Sequence, residues 1–199
     1  MMADCVHFER LYRIDPDPWR VASDWYERRK RNLLLASLPR ERYRHGFEPG
    51  CGNGETTVGL LERCERLCAV DFSPTAVELC SRRAQAVGQG RLDVRALPLP
   101  SQWPDVPAKG FDLIVVSELA YYFDDPSLEH FISQCLSSLG TEGHLVMCHW
   151  RHDAGDRRQP TDELHRRLAQ RTGLATLLSH AESDFRLDIW EKLPCGGKP

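Results

Sequence analysis

Three groups of residues have the types and spacing to bind a nucleoside. The first is Phe47-Glu48-Pro49-Gly50-Cys51-Gly52-Asn53-Gly54, a G-x-G-x-G run whose glycines allow positive φ and let a ligand approach the backbone. Because Glu55 and Thr56 follow Gly54, the dinucleotide fingerprint G-x-G-x-x-G is not met, and a pyrophosphate or nicotinamide ligand is disfavoured. As a turn alone, this run would need no ligand. The second group centres on Asp71 in Ala69-Val70-Asp71-Phe72-Ser73, 17 residues beyond Gly54. A carboxylate at a strand end can accept both hydroxyls of a ribose; the structural alternative is that Asp71 only caps a helix begun by Pro74. The third is Leu92-Asp93-Val94, where the carboxylate can accept adenine amino hydrogens and the next N–H can meet a ring nitrogen. Glu48, Gly50, Cys51, Gly52, Gly54, Asp71, Phe72, Asp93 and Val94 thus describe one adenosine pocket at three successive strand ends.

A second set has acid, base or lone-pair-orienting capacity: Glu118, Tyr121, Tyr122, His149 and His152. Glu118, Tyr122 and His149 are the catalytic candidates, although paired aromatics and a lone histidine are also ordinary packing. His149, His152 and Asp153 are metal-ligand types, but their spacing matches no strong motif and no metal is expected.

To present these residues together, the chain must alternate strands and helices. From about Tyr43, apolar β-type runs alternate with segments of helical period, the pattern of a doubly wound α/β fold. Strands are expected at Arg44 to Glu48, Leu67 to Val70, Gly90 to Val94, Phe111 to Ser117 and Gly143 to Trp150. Helices are expected from about Gly54 to Arg63, Pro74 to Val87, Pro126 to Leu139 and Thr161 to Arg171, with Ser73 capping the second. Arg151 to Gln159 reads as a loop. Leu174 to His180 and Asp184 to Lys192 are joined by three residues, which forces antiparallel pairing. The sum is a seven-stranded, mostly parallel, Rossmann-like sheet ending in an antiparallel hairpin. Ahead of it lies a short N-terminal extension, with a Pro-stiffened turn at Asp15-Pro16-Asp17-Pro18-Trp19 and a helix entering near Asp24 with Glu27 three residues on. The whole is expected to be a single domain, 1–199: a helical lid or extension 1–42, an α/β core 43–192 and a tail 193–199, disordered from Cys195.

With 26 Lys and Arg against 29 Asp and Glu, the net charge of −3 offers no field for a polyanion, so no nucleic-acid partner is expected. Arg28-Arg29-Lys30-Arg31 reads as a solvated helix face. No apolar run is long enough to span a membrane, and Met1 to Arg10 lacks the apolar core of a signal peptide. Cys64, Cys68, Cys80, Cys135 and Cys148 fall inside apolar patterns and read as reduced core residues, which points to the cytoplasm.

The chain resembles the class I S-adenosylmethionine-dependent methyltransferases over nearly everything from Tyr43 to Lys192. Glu48 to Gly54 looks like the family's first motif, Asp71 its ribose-binding acid, Asp93-Val94 its adenine site, and Phe111-Asp112-Leu113-Ile114-Val115-Val116-Ser117-Glu118 its fourth strand. Within that superfamily it is most similar to the nodulation protein S group. Asp15-Pro16-Asp17-Pro18-Trp19-Arg20, Val116-Ser117-Glu118-Leu119-Ala120-Tyr121-Tyr122 and Gly143-His144-Leu145-Val146 carry that similarity. His149-Trp150-Arg151-His152-Asp153 does not map onto the group.

The resemblance implies S-adenosyl-L-methionine as cofactor and S-adenosyl-L-homocysteine as product, with Ser117 among the cofactor contacts. It implies that Trp19, Arg20 and Tyr26 close over the cofactor, where Trp19 and Trp25 could equally anchor the extension. The group's activity, N-methylation of the free amine on the terminal glucosamine of a deacetylated chito-oligosaccharide, implies a small-molecule or saccharide acceptor with an amine. Alternatives are O-methylation of a small metabolite and a non-catalytic cofactor-binding regulator. DNA bases and protein glutamine recede because no Asn/Asp-Pro-Pro-Tyr motif occurs. A monomer or homodimer is expected.

Overall fold

A computed structural model describes residues 2–194, with side chains from residue 6 onward; the tail from Cys195 lies outside the described residues. The chain divides into two compact units, one up to Pro104 and one from Asp105. The first carries helices α1 (Met2–Ile14) and α2 (Trp25–Ser37), strand β1 (Tyr43–Pro49), α3 (Glu55–Leu61), β2 (Cys64–Asp71), α4 (Pro74–Ala84) and β3 (Leu92–Ala96). Its strands are parallel in the order β3-β2-β1.

Capping residues set the helix starts. Ser73 accepts from Ala76 N at 3.0 Å with Pro74 in the first turn of α4, and Asp24 accepts from Tyr26 N at 2.8 Å ahead of α2. Glu27 pairs with Lys30 at 2.9 Å, and the Asp24 N–H that a capping box would use donates to Arg20 O at 2.9 Å. Helix α1 was not expected from the sequence. Its contacts with the rest of its unit, described below, hold it where its own periodicity is weak.

The second unit contains β4 (Phe111–Ser117), a single turn of tight helix at Ala120–Tyr122, α5 (Asp125–Ser138), β5 (Leu139–Trp150), α6 (Thr161–Ala169), β6 (Leu174–Ala181) and β7 (Phe185–Lys192). Strand β4 pairs parallel to β5, β7 antiparallel to β5, and β6 antiparallel to β7, giving the order β4-β5-β7-β6. Phe111 to Val116 are all buried, an apolar run broken only by Asp112, as expected of a parallel strand covered on both faces. The seven strands, mostly parallel and finished by an antiparallel hairpin, are those expected.

Three strands depart from expectation by two residues or more, and β2 does so by starting at Cys64, ahead of Leu67. Strand β5 begins at Leu139, directly after α5, because Leu139 pairs with Phe111 before the register shifts. Gly140 makes this possible: an added Cβ there would lie 2.4 Å from the Lys109 carbonyl oxygen. Strand β3 runs on to Ala96 rather than stopping at Val94, which matters for the site below.

Candidate cofactor site and acceptor-side turn

In the first unit the glycine turn leaves β1 and is fastened to β2. The main-chain N–H groups of Gly50 and Cys51 both donate to Val70 O, at 2.7 and 2.9 Å. Gly50, Gly52 and Gly54 have φ of 74°, 52° and 86°, the left-handed region that glycine enters without penalty. Gly54 is also sterically required, since an added Cβ would meet Cys80 Cα at 2.8 Å. Cys51 is buried against Ala69 and Cys80. Glu48 lies beneath the turn, where its carboxylate accepts from Thr57 Oγ1 at 2.6 Å. Burial holds its carboxyl well above the usual range, with Cys80 adding to the shift, Thr57 opposing it and Asp71 adding further.

Asp71 ends β2 and is only 8% exposed. Its two carboxylate oxygens accept from Ser73 N at 2.9 Å and from Gly52 N at 3.0 Å, so it links the glycine turn to the start of α4. Burial raises its pKa to about 6, against the lowering effect of the Ser73, Gly52 and Phe72 N–H groups; the charge of Glu9 adds to the rise. Helix-cap support and ligand binding are compatible here, because each carboxylate oxygen has a second lone pair.

The N-terminal segment packs on this same unit. From α1, Glu9 accepts from Ser73 Oγ at 2.5 Å and from Thr75 Oγ1 at 2.7 Å. Burial alone would raise the Glu9 pKa, but these bonds and Arg13 outweigh it and hold the group below its ordinary value. Phe8 packs edge-on against Phe72, and Trp19 packs against Phe8 and Tyr12, with ring centroids 5.9 and 5.4 Å away. A Cβ added to Gly52 would lie 2.7 Å from the Tyr12 hydroxyl. Asn53 Nδ2 donates to Pro16 O at 3.1 Å and to Asp17 Oδ1 at 3.0 Å. Arg20 is exposed, in a left-handed turn of φ 54°, its N–H bonded to Asp17 O at 2.8 Å.

Asp93 is not where the sequence placed it. It faces Cys68 in register, three residues before the end of β3, and pairs with Arg95 at 2.6 Å with half of its side chain exposed. The residue opposite Asp71 is Ala96, and Leu97 N then donates to Asp71 O at 2.8 Å. The strand-end position belongs to Ala96-Leu97, not to Asp93-Val94. Period-two patterning could not reveal this, because β3 is half exposed and its apolar positions do not mark its end.

In the second unit Ser117 ends β4, partly buried, and Glu118 follows at φ 54°. Glu118 N donates to Cys148 O at 3.0 Å, and its carboxylate accepts from Trp150 N at 3.1 and 3.2 Å. It also accepts from the Tyr121 hydroxyl. Arg157 stacks 4.0 Å from the Tyr121 ring centroid and 4.3 Å from that of Trp150, clamping the polar 151–159 loop to the turn. Tyr121 is 2% exposed, and burial pushes its phenol well above the usual value, the Glu118 charge adding to the shift. Tyr122, more open, is pushed up to about 12 by burial first and then by Asp156. It is therefore a neutral donor, not a base, near neutral pH.

His149, a catalytic candidate from the sequence, is fully buried. Its Nε2 accepts the main-chain N–H of Ala120 at 3.2 Å, and its Nδ1 is 3.0 Å from His165 Nε2. Both ring nitrogens are thus engaged inside the core, one of them on the Ala120–Tyr122 turn. His152 is exposed and pairs with Asp184 at 2.8 Å. Among the described residues, no group of His, Cys, Asp or Glu is placed to hold a metal ion, and no helix is long and apolar enough to cross a membrane. Residues missed in the sequence are Glu9 and Tyr12 in the first unit and Arg157, His165 and Asp188 in the second; Asp17 was quoted in a turn motif without being assigned a role. Asn53 lay inside a quoted motif without being assigned a role.

A glycine turn between the first parallel strand and its helix, with a buried acid ending the next strand, is the cofactor-binding arrangement of class I S-adenosylmethionine-dependent methyltransferases. A methyltransferase domain model matches residues 47–143. Nodulation protein S of Rhizobium tropici is 32% identical over 132 residues, covering 65% of this chain and 53% of that protein. Nodulation protein S of Bradyrhizobium diazoefficiens is 30% identical over 160 residues, covering 74% and 72%. The crystal structure of the N-methyltransferase NodS from Bradyrhizobium japonicum WM9 in complex with S-adenosyl-L-homocysteine aligns with a TM-score of 0.81 at 27% identity, over 94% of this chain and 96% of that one. The chain belongs to the nodulation protein S family of methyltransferases. It spans about half the length of the Rhizobium tropici relative and roughly two thirds or more of the other two nodulation protein S relatives.

Proposed function

We propose that this chain transfers a methyl group from S-adenosyl-L-methionine to an amine of an amino-sugar-like saccharide or small molecule. The observation that carries the reading is the buried Asp71 carboxylate bonded to Gly52 N–H at the end of β2, in a chain of the nodulation protein S family. The first unit fits the cofactor: it offers an acceptor-only group for ribose hydroxyls beside a turn whose backbone carries no side chains at residues 50, 52 and 54.

Bound there, S-adenosylmethionine supplies an electrophilic methyl on a sulfonium; the protein's task is to orient and to exclude water. We assign Asp71 to the ribose hydroxyls, with Phe72 beside it. Gly50, Cys51, Gly52 and Gly54 provide close backbone approach, and Glu48 supports the turn from beneath. The main chain of Ala96 and Leu97, rather than the side chain of Asp93, is assigned to the adenine. Trp19 and Arg20, on the loop tethered by Asn53, are assigned to the cover. On the acceptor side, Glu118 and Tyr122 are the residues assigned to the amine, the first to accept its hydrogen bond and the second to donate to a neighbouring hydroxyl. Ser117 is retained as a cofactor contact.

The family match at residues 47–143 runs through both compact units, which supports one functional domain. The six described cysteines form no disulfide among the described residues, which supports a reducing, cytoplasmic setting. No partner beyond cofactor and acceptor is invoked; the assembly is read as a monomer or homodimer.

The test is calorimetric titration of S-adenosylhomocysteine into the wild type and Asp71→Ala, then turnover on glucosamine-terminated chito-oligosaccharides. Binding that Asp71→Ala weakens at least tenfold, with turnover, supports the reading. Absence of binding by the wild type overturns the cofactor assignment, and binding without turnover on any amine acceptor overturns the acceptor class.

A further inference from the structure

We infer that His165 and Asp188 are positioning residues for methyl transfer, acting through His149 on the Ala120–Tyr122 turn. The inference rests on the reading of Glu118 and Tyr122 as the acceptor side.

Four groups form one buried line across the second unit. Ala120 N donates to His149 Nε2 at 3.2 Å, His149 Nδ1 lies 3.0 Å from His165 Nε2, and His165 Nδ1 lies 2.7 Å from Asp188 Oδ2. His149 comes from β5, His165 from α6 and Asp188 from β7, and the three are 0%, 0% and 1% exposed. The hydrogens follow from one end. A main-chain N–H can only donate, so His149 Nε2 carries a lone pair and Nδ1 carries the proton. That proton points at His165 Nε2, which leaves His165 protonated on Nδ1 and donating to the Asp188 carboxylate. Two neutral imidazoles thus connect a carboxylate to the turn that follows Glu118, and the His149 ring packs against that of Tyr121 with centroids 5.1 Å apart.

Each of the three contacts holds one hydrogen, and none has room for a second. A proton added to either imidazole would set one N–H against another, either between the two rings or at Ala120. Acidification therefore breaks the hold on the turn. The charged and titratable groups around the line are Arg186 of β7, bonded to Asp188 Oδ2 at 2.7 Å, Asp162 of α6, and Tyr121 with its partner Glu118. Burial keeps His165 below its ordinary value, with Asp188 opposing that shift. An apolar contact would join these elements more simply; a polar line ending on a main-chain N–H fixes one geometry of the turn.

The experiment uses the full chain with His165→Leu, His165→Asn and Asp188→Asn. It measures kcat against pH on glucosamine-terminated chito-oligosaccharide, the Kd of S-adenosylhomocysteine, and hydrogen exchange at the Ala120 amide. His165→Leu is expected to lower kcat at least tenfold, speed Ala120 exchange at least tenfold, and leave the Kd within twofold. His165→Asn, whose amide offers an acceptor and a donor and does not titrate, is expected to recover much of kcat and to shift the acid-side fall by half a unit or more, because His149 alone then takes up the proton. If His165→Leu does not fold, Asp188→Asn is read instead: its acid limb should move to lower pH by half a unit or more. A wild-type kcat and pH profile in the folded variants, or unchanged Ala120 exchange, overturns the inference. Glu118→Gln separates it from the reading beneath it: unaltered turnover there overturns the acceptor-side assignment and this inference together. Lowered turnover there, with wild-type behaviour in the relay variants, overturns this inference alone.

Discussion

Asn53 Nδ2 donates to Asp17 Oδ1 at 3.0 Å, so the middle of the glycine turn is tied to the loop that carries Trp19 and Arg20. Asp17 is held in turn by Val21 N and Ala22 N, at 2.8 and 3.1 Å. The carboxylate therefore stays in place when Asn53 is removed. Asn53→Ala should raise the Kd of S-adenosylhomocysteine about fivefold, roughly 1 kcal/mol. Calorimetry at constant salt checks it, and an unchanged Kd would show that the loop contributes nothing to cofactor binding.

Asp71 makes pH a second probe. Its folded-state pKa of about 6 lies above the unfolded value near 3.9, so the folded chain holds the extra proton between those values. Stability attributable to this group is therefore greatest below about pH 4 and declines as pH rises through about 6, by roughly 3 kcal/mol in all. Urea unfolding across that window should show the wild type losing about this much relative to Asp71→Asn. Ligand affinity should run the opposite way, weakening below pH 6 as the acceptor is protonated, and Asp71→Asn should remove that dependence.

Gly54→Ala should be among the most damaging single changes in the first unit. The residue sits at φ 86°, and the new Cβ would press on backbone, Cys80 Cα at 2.8 Å, which cannot rotate away. Strain and clash together should cost about 3 kcal/mol, lowering Tm by roughly 6–12 °C. A melt within 2 °C of the wild type would contradict the packing described for α4.

Glu9 tests whether α1 is fixed by its own sequence or by its contacts. Glu9→Ala removes the acceptor for Ser73 Oγ and Thr75 Oγ1, a loss of about 1 kcal/mol for groups partly open to water. Cleavage within α1 in limited proteolysis should accelerate about fivefold. Unchanged cleavage would mean that Phe8 and Trp19 suffice to hold the helix.

The glycine turn, the strand-end acid and the buried run of β4 were legible because each has a local chemical reason: positive φ, a carboxylate closing an apolar run ahead of a Ser-Pro helix start, and burial on both faces. Helix α1 was not, since the contacts that fix it, Glu9 to Ser73 and Phe8 to Phe72, span 64 residues of chain. The end of β3 was missed because only pairing with β2 decides that Ala96, not Asp93, stands opposite Asp71. His149 was legible as a histidine at a strand's end but not as a buried one. Its partner His165 lies 16 residues on and belongs to another element, a relation that no spacing rule encodes.

Glu118 occupies a conformation that glycine would enter freely, φ 54°, at a cost of roughly 1 kcal/mol for a residue with a Cβ. What offsets it is a carboxylate long enough to reach Trp150 N and the Tyr121 hydroxyl together. Glycine there would relax the backbone and sever the brace between the two strand ends; alanine would keep the strain and lose the brace. Aspartate, one methylene shorter, keeps the charge but not the reach. The corner between β4 and the Ala120–Tyr122 turn is thus a place where side-chain length, more than charge or backbone freedom, sets what the position tolerates.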